Sequence, residues 1–236
     1  MAKGKGGKNA KRGGDRDGAR NLHTRVRTAK GRKLSSTRWL QRQLNDPYVR
    51  DAKRLGYRSR AAFKLIEMDD KFHLIKKGMR IVDLGAAPGG WTQVAIERAG
   101  PNCHIVSIDL QPIEPVAGAI MIEGDFLADD AVPKLMEALG GKADLVMSDM
   151  AAASTGHPQT DHLRIMGLLE AAADFAADVL SPGGAFVGKA LQGGAENDLL
   201  AMLKRDFQTV KHAKPPASRS DSAEMYVIAT GFRGGD

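Results

Sequence analysis

The chain has 236 residues, of which 42% are hydrophobic and 5% aromatic, and its formal net charge is +7. That length holds one α/β domain with an appendage, or at most two small domains, around a core made mostly of Ala, Val, Leu and Ile. One cysteine, Cys103, excludes an intrachain disulfide, no apolar run is long enough to span a membrane, and no signal-type hydrophobic stretch follows the basic start, so the expected location is the cytoplasm.

The charge is unevenly spread. Residues 1–64 carry 20 Lys and Arg against 4 Asp and Glu, whereas residues 65–236 carry 15 against 24. A basic segment of that density is drawn to polyanions, nucleic acid first among them; a solubilising tail is the plainer alternative. Residues 1–33 hold almost nothing apolar and are expected to be a disordered tail, with residues 34–236 forming the domain. Arg38, Arg42, Arg50, Lys53, Arg54, Arg58 and Arg60 are expected to line a basic surface.

Along the domain, Ser59 is a candidate helix cap, followed by Ala62, Leu65, Ile66, Met68 and Phe72 at helical spacing. Strands are predicted at 79–84, 104–109, 119–122, 143–148 and 184–189, alternating with helices at 89–98, 132–139, 163–180 and 196–204. Two closing strands, 207–212 and 224–230, have no long helix between them and are expected to pair antiparallel. Alternating strands and helices argue for a doubly wound, mostly parallel seven-stranded α/β sheet of Rossmann-like type with an antiparallel edge strand.

The first strand runs through Asp83-Leu84-Gly85-Ala86-Ala87-Pro88-Gly89-Gly90-Trp91 into a helix. In an open parallel sheet such a turn sits where ligands bind, and its glycines admit close backbone approach. The spacing is not the dinucleotide G-x-G-x-x-G, and no Walker Gly-Lys-Ser/Thr occurs, which disfavours a nicotinamide dehydrogenase or a nucleoside triphosphatase. Asp109 ends the second strand, placed to accept from ribose hydroxyls, and Asp125 follows the third, placed to accept from an adenine amino group. The combination points to an S-adenosylmethionine site. No His/Cys/Asp cluster has metal-ligand spacing, and no metal is expected.

From Ser35 onward the chain resembles the FtsJ-like (RlmE) family of large-subunit ribosomal RNA 2′-O-methyltransferases. The resemblance rests on Ser36-Thr37-Arg38-Trp39-Leu40, Arg58-Ser59-Arg60-Ala61-Ala62-Phe63-Lys64-Leu65, the loop from Val82 to Trp91, Gly124-Asp125-Phe126, Val146-Met147-Ser148-Asp149-Met150-Ala151, the run from Pro182 to Lys189 and that from Glu224 to Gly231. It implies an S-adenosylmethionine-dependent methyltransferase fold, a catalytic tetrad of Lys64, Asp149, Lys189 and Glu224, and cofactor contacts at Gly89, Trp91, Asp109, Asp125 and Asp149. It further implies methylation of a uridine ribose in the A loop of large-subunit (23S) ribosomal RNA, with the RNA or a ribosomal particle as partner. Ala152-Ala153-Ser154-Thr155-Gly156 and Leu191 depart from the family's pattern, and the basic tail exceeds its usual length.

A ribose hydroxyl is a poor nucleophile at neutral pH. In-line transfer therefore needs positioning, and a general base adds about 10²–10⁴-fold. Lys189 closes an otherwise apolar strand and is expected to be the central group, acting as a base or as a charged orienting group. Lys64 and Glu224 would shape its charge, and Asp149 would hold it near the methyl. Alternatives are 2′-O-methylation of transfer RNA or an mRNA cap, and a non-catalytic assembly factor on the same fold. A monomer is expected, since no apolar seam is evident.

Overall fold

A computed structural model of the chain describes residues 24–26, 31, 33–193 and 197–234. The expectation for the tail falls mostly outside these residues. The chain divides into two compact units, Met1–Asn45 and Asp46–Asp236.

In the first unit, helix α1 spans Leu34–Asn45. Residues 24–26 lie along it. Thr24 N–H donates to Asn45 Oδ1 (2.8 Å), Gln41 and Asn45 side-chain amides donate to Thr24 O, and Val26 N–H donates to Gln41 Oε1 at 3.1 Å.

The second unit opens with α2 (Pro47–Leu55). Asp46 caps it by accepting from Tyr48 N–H, Pro47 occupies the first turn where its missing N–H costs nothing, and Gly56 closes it in the left-handed region at φ 81°. Helix α3 (Ala61–Phe72) follows; Ala62, Leu65 and Met68 bury the stripe that their spacing predicts. Ser59 does not cap it. The N-cap is Arg60, with no capping bond from its side chain, and Ser59 Oγ is buried without a partner among the described residues.

The sheet comprises β1 (Arg80–Leu84), β2 (His104–Asp109), β3 (Ala119–Glu123), β4 (Ala143–Ser148), β5 (Leu180–Leu191), β6 (Phe207–Ala213) and β7 (Glu224–Phe232), in the order β3-β2-β1-β4-β5-β7-β6. The first five are parallel. β7 runs against both of its neighbours, β5 and β6, which makes that end of the sheet antiparallel as predicted. Helices α4 (Gly90–Ala99), α5 (Ala131–Leu139), α6 (Pro158–Val179) and α7 (Asn197–Asp206) link the strands.

Both faces are covered, so strands read as nearly continuous apolar runs whose alternate residues enter different cores. Val82, Leu84, Val106 and Val146 pack with α5, α6 and α7. Ile81, Ile105, Leu145, Met147 and Val187 pack with α3 and α4. Arg98 on α4 pairs with Asp69 and Asp70 on α3 and fixes that helix pair over the second face. Helix α6 begins at Pro158, five residues before the predicted start; its first turn is polar and shows no apolar period, but Pro158 sits at N1.

Candidate active site

At the carboxyl ends of β1 and β4 the chain turns twice within contact distance. Gly85 adopts φ +75°, and a Cβ there would lie 2.7 Å from Met150 Cα. Asp149 N–H donates to Leu84 O at 3.1 Å, so the loop carrying Asp149 is tied to the end of β1. Between them opens a cleft lined by Gly85, Ile108, Asp109, Leu110, Asp125, Phe126, Met150 and Leu168.

The cleft suits an adenosine-bearing ligand. Asp109 Oδ2 and Oδ1 accept from Ala87 N–H (2.9 Å) and Gln111 N–H (2.8 Å), which aims the carboxylate into the cleft with lone pairs left for hydroxyls. Asp125 Oδ1 accepts from Leu127 N–H at 2.9 Å, and its Oδ2 has no protein partner among the described residues. Asp109 and Asp125 therefore meet on one cleft. Trp91 does not join them through its ring: the indole is buried, donates to Ala61 O at 2.8 Å and packs on Tyr226 at 5.6 Å between ring centroids. Gly89, at φ +103°, is overlaid by Arg58 and Val116. Asp83, wholly buried, accepts from Thr92 Oγ1 at 2.7 Å; burial, helped by Asp149 and Asp109, pushes its carboxyl up to about 7.

Lys64, Asp149, Lys189 and Glu224 come from α3, the loop after β4, β5 and the start of β7, and they converge. Lys189 Nζ lies 2.9 Å from Asp149 Oδ1 and donates to Asp149 O at 2.7 Å. Lys64 Nζ, on a residue only 7% exposed, lies 2.7 Å from Glu224 Oε1 and 3.9 Å from Asp149 Oδ2. Two cations and two carboxylates thus neutralise one another, as largely buried charges must. Burial drives the Asp149 carboxyl upward, but Lys189, Lys64 and the Tyr226 hydroxyl outweigh it and hold the pKa below the ordinary carboxylate value.

A fifth member was not anticipated. Tyr226, fully buried, donates to Asp149 Oδ1 at 2.6 Å and receives a hydrogen bond from Lys64 Nζ at 3.1 Å. The β5–β7 register pairs it with Lys189. Burial, then Asp149 and Glu224, raise its pKa well above the ordinary phenol value, so it stays a proton donor. Its sequence signal was the strand period of two, which puts it on the face of Glu224. Ser218 was also missed; its hydroxyl donates to Glu224 Oε1 at 2.9 Å. Residues 153–156 beside Asp149 are held from α6. Ser154 Oγ and Thr155 N–H and Oγ1 donate to Asp161, and Arg164 donates to Ala153 O. Those bonds, Thr155 N–H first, lower the Asp161 carboxyl to about 2. Among the described residues no group of His, Cys, Asp and Glu could hold a metal ion.

The chain is 64% identical over 94% of its length to ribosomal RNA large subunit methyltransferase E of Paramagnetospirillum magneticum, covering 93% of that protein. It is 61% identical over 98% of its length to the protein of the same name from Sphingopyxis alaskensis, covering 97% of it. The crystal structure of a Plasmodium falciparum protein described as a ribosomal RNA methyltransferase superposes with a TM-score of 0.67 at 33% identity, over 76% of this chain and all of that one. The sequence model of FtsJ-like methyltransferases matches residues 57–232, a span that holds the cleft and all four converging charges, and the chain belongs to the FtsJ-like methyltransferase family.

Proposed function

We propose that this protein methylates the 2′-hydroxyl of a uridine ribose in the A loop of large-subunit ribosomal RNA, with S-adenosylmethionine in the cleft between Asp109 and Asp125. The observation that carries the reading is the buried cluster of Lys64, Asp149, Lys189 and Glu224 at the same sheet end as that cleft. Near full-length similarity to proteins named ribosomal RNA large subunit methyltransferase E supports the substrate.

When bound, S-adenosylmethionine supplies a sulfonium methyl for in-line displacement. The protein's part is to place the attacking oxygen and to accommodate its changing charge. Lys189 donates to both the carboxylate and the carbonyl of Asp149, leaving one N–H for an incoming ribose hydroxyl. That N–H orients the oxygen; as the methyl is transferred the hydroxyl proton passes to solvent water, and the Lys189 ammonium stabilises the negative charge that builds up on the oxygen. Lys64, bonded to Glu224 and Tyr226, keeps the Asp149 carboxylate ionised and in place. Asp109 accepts from the cofactor ribose and Asp125 from the adenine amino group.

The test is methyl transfer to large-subunit particles from cells lacking the enzyme, with the modified nucleotide mapped by mass spectrometry. The wild type is expected to add one ribose methyl to an A-loop uridine. Lys189→Ala is expected to bind S-adenosylmethionine by calorimetry yet transfer nothing. Wild-type-like single turnover by that variant removes the role of Lys189, and methylation confined to transfer RNA or an mRNA cap overturns the substrate.

A further inference from the structure

The turn between α2 and α3 carries two arginines, Arg58 and Arg60, whose density of charge just before Lys64 suits an RNA-facing surface. Arg58 is turned the other way. Its Nη1 donates to Pro88 O at 3.2 Å and Glu114 O at 2.5 Å, and its Nη2 donates to Pro115 O at 2.8 Å. One guanidinium thereby joins two separate segments, the loop after β1 and the stretch between Asp109 and β3. Its backbone N–H donates to Gln93 Oε1 at 2.8 Å, and Gln93 Nε2 donates to Gly56 O at 3.0 Å, which fastens the turn to α4 as well.

Gly89 and Gly90 leave the room for this arrangement. A Cβ at Gly89 would lie 3.0 Å from Arg58 Nη1, 3.3 Å from Arg58 Cδ and 3.1 Å from Val116 Cγ2; one at Gly90 would lie 2.6 Å from Ser59 Oγ. The side of these glycines where a Cβ would stand is therefore filled by the turn. Both segments that Arg58 joins lead directly into the cleft: Pro88 stands one residue beyond Ala87, which donates to Asp109, and Glu114 and Pro115 lie on the stretch that Asp109 begins. A planar fork reaching three carbonyls sets the spacing of two loops in a way that a single ammonium cannot.

We infer that Arg58 is a positioning residue for the cofactor cleft and not an RNA contact, holding the loop after β1 and the 110–118 stretch at the separation S-adenosylmethionine needs. The inference rests on the reading of that cleft given under Proposed function.

The experiment compares wild type, Arg58→Lys and Arg58→Met for S-adenosylmethionine affinity by calorimetry, for kcat and both KM values in methyl transfer, and for the salt dependence of large-subunit RNA binding. Arg58→Met is expected to raise the Kd and KM for S-adenosylmethionine about tenfold or more, each tenfold being about 1.4 kcal/mol of lost positioning. Its kcat at saturating cofactor, its KM for RNA and its salt slope stay within about twofold of wild type. Arg58→Lys keeps the charge but loses the fork, so it too binds cofactor more weakly while binding RNA normally, and it carries the test if the Met variant does not fold. Unchanged cofactor affinity in the variants overturns the inference, as does a raised KM for RNA with a shallower salt slope. Absence of cofactor binding by the wild type overturns the reading of the cleft itself, a failure visible before any variant is made.

Discussion

Tyr226 Oη sits among the Lys64 ammonium and the Asp149 and Glu224 carboxylates, at 3.1, 2.6 and 3.2 Å. A hydroxyl has one proton, and the shorter contact assigns it to Asp149. Tyr226→Phe removes that donor and one of the contacts that lower the Asp149 pKa, so the carboxyl pKa is expected to rise in a carbon-detected NMR titration. A buried acceptor deprived of a partner costs about 1–3 kcal/mol. Asp149 has a depressed folded pKa, so its contribution to stability is present above the ordinary carboxylate pKa and is lost as pH falls through the folded value. The stability deficit of Tyr226→Phe in denaturant unfolding should thus be full at neutral pH and shrink in strong acid; an equal deficit at both would exclude linkage through Asp149. Tyr226 shows why single residues were only partly legible. Lys64, Asp149, Lys189 and Glu224 were singled out through motif resemblance, while Tyr226 lay inside the matching run from Glu224 to Gly231 without being singled out. Arg58 and Arg60, expected to line a basic surface, are half-buried and also tied into the fold, and those ties were illegible for a related reason. Their partners, at Pro88, Glu114 and Pro115 for one and at Asp46 and Ala217 for the other, are mostly far along the chain, and no local pattern announces them.

Between strand ends the decisive positions are turns. Gly85 combines a left-handed backbone with a Cβ site 2.7 Å from the Met150 backbone, so Gly85→Ala must push the β1 turn away from the segment carrying Asp149. A cost above about 2 kcal/mol is expected, read as a melting-temperature drop of roughly 4 °C or more together with weakened cofactor binding. Gly140→Ala is the control: Gly140 ends α5 at φ +65° with nothing within 4 Å of a Cβ, so it should cost only about 1–2 kcal/mol and leave cofactor affinity alone. Equal loss of cofactor affinity in both would mean that the close approach at Gly85 sets nothing at the cleft. Elements were the most legible level. The central strands were visible because burial on both faces leaves short, nearly unbroken apolar runs bounded by turn residues, whereas the edge strands β3 and β6 are only partly buried. What failed were the polar ends, since the first turn of α6 carries no apolar period and Ser59 has cap chemistry yet packs beside Gly90. The opposite end of the sheet has its own cations, and they serve helices. Lys142 Nζ donates to Asp178 O at 2.6 Å in the last turn of α6, and Arg80 lies over Gly141 just past α5. Cations there offset the negative ends of helix dipoles, which argues against a second polyanion surface at that end.

At the scale of the whole chain the excess of positive charge therefore belongs to the first 64 residues, and even there part of it is committed. Among the described residues Arg58 is held by carbonyls, Arg60 by Asp46 and Ala217, Lys64 by Glu224 and Arg54 by Asp51, so at least four of the 20 basic residues are drawn into the fold. What remains for a polyanion is weighted toward the tail, where residues 1–33 hold 12 Lys and Arg against 2 Asp. The rest of the chain, residues 65–236, carries more acids than bases and would repel a phosphate backbone at long range. A tail that neutralises phosphates releases counterions, and each phosphate left without its cation flattens the slope of log affinity against log salt by about 0.7–0.9. Deleting residues 1–33 is accordingly expected to weaken binding to large-subunit RNA most at low salt, with the two affinities converging as salt rises. S-adenosylmethionine affinity should stay as in the full chain, because the cleft is built from residues 85–168. Equal affinities of the truncated and full-length proteins across a salt series would make the tail a solubilising appendage and shift RNA recognition onto the residues around Lys64 and Lys189.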